Sequence, residues 1–176
     1  GVHEVRQPRR GGAPAGAPGL SGVDDETATA LLTIDLDSLI ANYRSLRDLA
    51  APAECAAVVK ADAYGLGMAA VAPALARAGC KTFFVATLGE AEELRGLLPG
   101  ATIYVLAGLQ QDTAPVHRRL DLRPVLNSAD EIEEWAAFSK SARVRLPAAI
   151  HIDSGMNRLG LSAAEVEAVA GAKSSW

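Results

Sequence analysis

Apolar and polar residues alternate in a regular way from Leu31 to Ala170. Short apolar runs rich in β-branched and aromatic residues predict strands, and longer segments with apolar residues every three or four positions predict helices. The predicted strands are residues 31–34, 55–59, 82–86, 102–106, 122–126 and 148–153. The predicted helices are residues 36–49, 68–78, 88–98, 113–120, 128–140 and 162–170, with Asp35 and Ser128 as N-caps and Glu131 completing a capping box with Ser128.

This order predicts an α/β protein with a parallel sheet. The predicted strands are apolar almost throughout, as expected for strands covered on both faces, and most are followed by a helix. A doubly wound open sheet and a TIM-type barrel both begin in this way. A complete barrel needs eight β–α units and typically about 250 residues. The chain has 176 residues and about six predicted units, so a barrel would be incomplete.

The first 29 residues differ from the rest of the chain. They are rich in Gly, Pro and Ala and lack helical or strand periodicity. Such a segment buries too little apolar surface to offset the entropy lost on ordering. We therefore predict a disordered lead-in over residues 1–29 and one domain over residues 30–176.

Composition narrows the possible partners and locations. The chain has 17 basic and 21 acidic residues, with no basic stripe that could follow a phosphate backbone, which argues against nucleic acid. It contains no run of about 18 apolar residues that could span a membrane. Cys55 and Cys80 are not in a metal-ligand spacing and are predicted to be buried small residues. A cytoplasmic protein is expected.

The segment VVKADAYGLG, residues 58–67, is the first with candidate chemistry. It places Lys60 at the carboxyl end of an apolar strand, where α/β barrels hold their reactive groups. A partly desolvated lysine there can act as a nucleophilic amine. Tyr64 could reach a phosphate, and Gly65 and Gly67 allow positive φ or close backbone approach. By spacing alone, a solvated lysine followed by an ordinary glycine turn is also possible.

The segment HIDSGMNRLG, residues 151–160, is the second. Strand alternation places His151 and Asp153 on one face as the chain enters a glycine-bounded loop. Arg158 in that loop remains charged and could donate paired hydrogen bonds to a carboxylate or a phenolate oxygen. The alternative is that Arg158 is an ordinary surface residue.

Together, the two motifs and their separation of about 90 residues resemble the N-terminal barrel half of alanine racemases, which are fold-type III enzymes that use pyridoxal 5'-phosphate (PLP). The resemblance extends from about Leu32 to Ala170. It implies an incomplete TIM-type (β/α)8 barrel without the family's C-terminal β domain. It also implies interconversion of L-alanine and D-alanine, which supplies D-alanine for peptidoglycan.

The resemblance also implies roles for particular residues. Lys60 would hold PLP covalently and act as the base on one face of the substrate Cα. Tyr64 would contact the cofactor phosphate, and Arg158 would lie near the phenolic oxygen of PLP and the substrate carboxylate. In the family the second base is a tyrosine from the C-terminal domain of the neighbouring subunit, so a homodimer is expected for the full-length enzyme. This chain alone is expected to be inactive.

One position departs from the family pattern. Many members carry a carbamylated lysine where this chain has His151, and neutral imidazole cannot supply that negative charge. His151 could instead accept a hydrogen bond from Arg158. The other hypotheses are a non-catalytic PLP-binding barrel like the PLP-homeostasis proteins, another fold-type III enzyme such as a decarboxylase or a D-amino-acid aldolase, and a structural fragment without cofactor.

Overall fold

The computed structural model describes residues 32–171, in which helices and parallel strands alternate. The strands are β1 (Ala57–Val58), β2 (Thr82–Val85), β3 (Thr102–Val105), β4 (Leu122–Leu126) and β5 (Ala149–Ile150). The helices are α1 (Leu36–Ala50), α2 (Lys60–Tyr64), α3 (Met68–Arg77), α4 (Leu88–Leu97), α5 (Ala114–Arg119), α6 (Ala129–Ser141) and α7 (Ala163–Gly171). The predicted lead-in of residues 1–29 lies outside the described residues.

The five strands form one parallel sheet in the order β1-β2-β3-β4-β5. Each new strand is added beside the one before it, whereas a doubly wound sheet reverses its direction at a switch point. Among the described residues, the helices pack on the face that carries Phe83, Val85, Ile103 and Val105. The structure therefore confirms the prediction of a TIM-type barrel that is partial and not closed.

The predicted strand at residues 31–34 is wrong for the part that the structure describes. Residues 32–34 form no strand, and Leu32 is 75% exposed. An apolar run becomes a strand only where a partner strand accepts its hydrogen bonds, and this run instead leads into α1. There Asp35 acts as the predicted N-cap and accepts the N–H of Ser38 at 3.0 Å. Residues 32–171 consequently contain five strands rather than the six predicted.

The two faces of the sheet differ in burial. The side chains of Phe83, Val85, Ile103 and Val105 point toward the helices and are fully buried in the main hydrophobic core. On the opposite face, Phe84 and Tyr104 stack with their ring centroids 4.9 Å apart and stay half-buried. This second face corresponds to the interior of a closed barrel.

Arg95 on α4 connects several loops at the amino-terminal edge of the sheet. Its guanidinium donates five hydrogen bonds of 2.8–3.1 Å, and every acceptor is a backbone carbonyl. The acceptors lie before β3 and before β4: Leu98, Pro99, Ala101, Leu120 and Asp121. A planar fork with five donors suits this cluster, whereas an ammonium group is a compact charge with three donors.

We expect Arg95→Lys to lower the free energy of unfolding by about 2 kcal/mol, because carbonyls on one of the two loops lose a charged donor. Urea unfolding of the parent chain and the variant measures the change. Arg77→Lys, at an exposed arginine in the last turn of α3, is the matched control and should change stability by less than about 0.5 kcal/mol. Equal midpoints for the two variants would contradict this interpretation of Arg95.

Residues 32–171 bear on the sequence-based expectations about a membrane span, a metal site and the two cysteines. Between residues 32 and 171, no helix is long and apolar enough to cross a membrane. The same stretch contains no group of three His, Cys, Asp or Glu side chains that could hold a metal ion. The prediction of buried cysteines is confirmed for Cys80, whose burial raises the pKa of its thiol, whereas Cys55 is only half-buried; both are free thiols.

Candidate active site

Lys60 lies where β1 ends, at the carboxyl edge of the sheet. Hydrogen bonding to β2 continues through Val59, whose N–H donates to the carbonyl of Phe84 at 2.9 Å. The chain then leaves the sheet, and Lys60 is half-buried at this exit. The structure thus places the lysine at the edge that the sequence predicted.

The turn after Lys60 is left-handed. Four consecutive residues, from Ala61 to Tyr64, have φ between 52° and 56°, and Gly65 follows with φ 83°. Each non-glycine residue in this conformation costs roughly 1–2 kcal/mol. Hydrogen bonds offset part of that cost: Ala63 N–H donates to Val59 O at 2.9 Å, and Met68 N–H donates to the Asp62 carboxylate at 2.6 Å.

The left-handed turn brings Tyr64 back toward the lysine. The Lys60 Nζ lies 6.0 Å from the centroid of the Tyr64 ring. Tyr64 is 62% exposed, so its hydroxyl is open to a ligand. A Cβ added to Gly65 or Gly67 would meet no atom within 4 Å, which leaves space above the turn. Of the three residues predicted for the site, the structure brings these two together.

His151 directly follows β5 at the same edge and is paired with Asn127, the residue after β4. Its Nδ1 lies 2.8 Å from Asn127 Oδ1. The Asn127 Nδ2 donates to the carbonyls of Leu106 and Val125, so its Oδ1 must be the acceptor and His151 Nδ1 the donor. The other ring nitrogen of His151, Nε2, has no hydrogen-bond partner among the described residues. Asn127 was not predicted from the sequence.

Asp153 organises the loop that carries Arg158. Its carboxylate accepts the backbone N–H groups of Gly155, Met156 and Asn157 at 2.9–3.1 Å. These bonds hold the pKa of the Asp153 carboxyl below its usual value, with those from Gly155 and Asn157 contributing most. The loop closes where Asp153 N–H donates to Leu161 O at 2.9 Å and Leu161 N–H donates to His151 O at 2.8 Å.

Arg158 is exposed on this loop, and within residues 32–171 no hydrogen bond or salt bridge engages its guanidinium. His151, the predicted partner, bonds Asn127 instead. Arg158 is therefore held by its backbone loop and its side chain is free to meet a ligand. The structure does not bring it into contact with Lys60 or Tyr64.

Two glutamates at the starts of helices join neighbouring loops at this edge. Glu90 completes a capping box with Thr87, and its carboxylate also accepts the N–H of Ala61 at 2.9 Å. Glu131 accepts the N–H groups of Leu109 at 3.2 Å and Asn127 at 2.8 Å. The N-cap at Ser128 is confirmed, but Glu131 reaches Asn127 rather than Ser128.

A parallel sheet that adds strands in one direction defines the class of protein: a partial parallel α/β barrel. Its carboxyl edge, which carries Lys60, Tyr64 and Arg158, is the edge where such barrels hold their active sites. Residues 34–174 match the family model described as alanine racemase, N-terminal domain. The chain therefore belongs to the family of alanine racemase N-terminal domains.

Individual relatives agree with that assignment. The chain is 61% identical over 142 residues to an alanine racemase of Methylobacterium sp. (strain 4-46), covering 81% of this chain and 39% of that protein. It is 51% identical over 144 residues to an alanine racemase of Brucella ovis, covering 81% of this chain and 36% of that protein. The chain thus spans less than half the length of these relatives.

A solved structure of similar fold is the alanine racemase of Bartonella henselae with covalently bound pyridoxal phosphate. It superposes with a TM-score of 0.75 at 42% sequence identity, covering 77% of this chain and 40% of that chain. This agreement extends the family assignment from the sequence to the arrangement of the sheet and its helices.

Proposed function

We propose that residues 30–176 form the cofactor-anchoring part of a PLP-dependent racemase that interconverts L-alanine and D-alanine, with Lys60 as the residue that binds PLP. The observation that carries the proposal is the position of Lys60: a half-buried amine at the carboxyl edge of a partial barrel, in a family that includes an enzyme with covalently bound pyridoxal phosphate. A D-alanine supply for peptidoglycan, a cytoplasmic location and a homodimeric full-length enzyme belong to the same proposal.

The chemistry of the groups at this edge fits PLP. The cofactor has an aldehyde, which needs an amine, and a phosphate, which needs hydrogen-bond donors. Lys60 supplies the amine, the exposed hydroxyl of Tyr64 supplies a donor, and the space above Gly65 and Gly67 leaves room for a ligand. When bound, PLP withdraws electrons from the substrate and so makes the hydrogen on its Cα more acidic.

The remaining steps belong to side chains of this chain. The Lys60 amine would anchor the cofactor and, as a free amine, would take or return a proton on one face of the substrate Cα. Tyr64 holds the phosphate end. Arg158 stays charged and, from the loop ordered by Asp153, binds the substrate carboxylate or the phenolic oxygen of the cofactor.

Racemisation also needs a proton carrier on the opposite face, and we propose that another part of the enzyme supplies it. The Tyr43 hydroxyl is committed to the Cys55 carbonyl at 3.3 Å, and burial raises the pKa of Tyr43 to about 12. The Tyr104 hydroxyl accepts a hydrogen bond from Arg123 on the sheet face. The only other tyrosine of the chain, Tyr64, has its ring centroid 6.0 Å from Lys60 Nζ, and its proposed role is to hold the cofactor phosphate.

The test of Lys60 is trapping with borohydride. The purified chain is mixed with PLP, reduced and digested, and the modified peptide is identified by mass spectrometry. We expect the added mass on the peptide that contains Lys60, while the exposed Lys81 and Lys140 serve as internal references. A folded sample with no label, or with its main label on another lysine, would contradict the cofactor assignment.

The same sample is then assayed for D-alanine formation from L-alanine. We expect no turnover from the chain alone, because one proton carrier cannot invert Cα. Labelling of Lys60 in a complete protein that also shows no turnover would instead favour a non-catalytic PLP-binding barrel.

A further inference from the structure

We infer that Glu90 is a positioning residue for Lys60: it fixes the peptide between Lys60 and Ala61, and thereby the direction in which the lysine side chain leaves the sheet. The inference rests on the proposed function for its consequence in cofactor capture. Its structural content, which is the restraint on the backbone, is independent of the cofactor.

The geometry shows how one carboxylate joins two elements. Glu90 Oε1 accepts the N–H of Ala61 at 2.9 Å, across 29 positions of sequence. Its Oε2 accepts the N–H groups of Ala86 at 2.7 Å and Thr87 at 3.2 Å, at the start of α4. The Thr87 hydroxyl in turn accepts the N–H of Glu90 at 3.3 Å. The carboxylate is thus held on one side by its own helix and on the other by the chain next to Lys60.

The restrained peptide is the one that decides where Lys60 points. The chain changes there from the extended strand to the left-handed turn that begins at Ala61, with φ 52°. A charged acceptor makes a stronger hydrogen bond than a neutral one, so Glu90 favours the orientation of the peptide that this turn requires. Releasing the Ala61 N–H allows the peptide to rotate and moves the lysine with it.

The fold contains a second copy of this device that does not touch Lys60. Glu131 stands at the same place in its own helix as Glu90, three residues after the N-cap Ser128. It accepts the N–H of Asn127 just before its helix and the N–H of Leu109 in the loop after β3, the strand beside β4. Equivalent substitutions at Glu131 therefore cost similar hydrogen bonds without releasing Ala61.

The test compares Glu90→Asp with Glu131→Asp. Aspartate keeps the charge at the helix N-terminus but is one methylene shorter, so it cannot reach both its own helix start and the neighbouring loop. In Glu90→Asp we expect amide hydrogen exchange at Ala61 to accelerate by about tenfold or more, the loss expected for one charge-assisted hydrogen bond. In Glu131→Asp the exchange at Ala61 should change by less than about twofold.

The second readout is the rate at which Lys60 is trapped with PLP and borohydride. Because a displacement of about 1 Å can slow a reaction by about a hundredfold, we expect Glu90→Asp to slow trapping by at least about tenfold, with Glu131→Asp close to the parent chain. If Glu90→Asp does not fold, Glu90→Gln is used; its amide group can satisfy only one side of the bridge.

The outcomes separate the two proposals. Unchanged exchange at Ala61 in Glu90→Asp, or equal slowing of trapping in both variants, would overturn the role of Glu90. Two results together would overturn the proposed function and support the positioning role. The parent chain would never be labelled at Lys60, and the Ala61 amide would lose protection in Glu90→Asp but not in Glu131→Asp.

Discussion

In the racemase proposed above, replacing Lys60 with arginine is expected to reduce alanine racemisation by at least about a thousandfold in kcat/KM. Arginine retains the positive charge and nearly the length of lysine, but its guanidinium is never deprotonated in proteins. It can therefore neither anchor the cofactor aldehyde nor accept a proton from Cα. The loss combines the removal of the anchor with that of a general base, which alone contributes about 10²–10⁴-fold. Chiral chromatography of the alanine product measures the change.

Lys81→Arg is the matched control for this substitution. Lys81 is exposed at the residue before β2, on the amino-terminal edge of the sheet and opposite to the candidate site. It tests the same chemical change without touching Lys60, and activity within about twofold of the parent is expected. Racemisation by Lys60→Arg at a rate near that of Lys81→Arg would rule out Lys60 as anchor and base.

The periodicity of the sequence predicted the elements that pack against a neighbour. The runs around Phe83 and Ile103 became strands because their alternate side chains bury against helices and because each has strands on both sides. The run predicted at residues 31–34 is also mostly apolar, but its described part, residues 32–34, forms no strand. Apolar composition thus predicts which segments can form strands. Whether such a segment does form a strand depends on whether the fold places another strand beside it.

The position of Lys60 was predictable, but the shape of its turn was not. A lysine after an apolar strand follows from the order of residues alone. The left-handed conformation from Ala61 to Tyr64 contains no glycine, and alanine or tyrosine in isolation avoids positive φ. Such a turn survives only where surrounding bonds hold it, and one of those bonds comes from Glu90 on a different helix.

The long-range hydrogen bonds along the carboxyl edge show which features of a site cannot be predicted from local sequence patterns. The N-cap at Ser128 was predicted from its spacing to Glu131, and Thr87 and Glu90 have the same spacing. The second partners of the two glutamates could not be predicted, because these lie 22 and 29 positions away and become neighbours only when parallel strands align their carboxyl ends. The pairing of His151 with Asn127, 24 positions apart, has the same origin.

Substituting Gly160 with alanine is expected to destabilise the chain by roughly 2–6 kcal/mol. Two costs add at this position. Gly160 has φ 101°, where an L side chain is strained by about 1–3 kcal/mol. A Cβ there would also lie 2.9 Å from the backbone N of Asp153 and 3.1 Å from the His151 ring, which adds roughly 1–3 kcal/mol of overpacking. Asp153 N is a backbone atom, so a rotamer change cannot relieve this contact. A shift of the backbone is also opposed, because Asp153 N–H donates to Leu161 O.

Gly79→Ala isolates the second cost. Gly79 has φ 102°, nearly the same backbone strain, but a Cβ there would meet no atom within 4 Å. Urea unfolding of both variants should therefore give Gly160→Ala the lower stability by about 2 kcal/mol. Equal losses of unfolding free energy in the two variants would show that the loop from Asp153 to Leu161 can shift to accommodate a methyl group at no measurable cost. The expected difference requires instead that Gly160 is a close-approach position, which holds the loop carrying Arg158 against the end of β5.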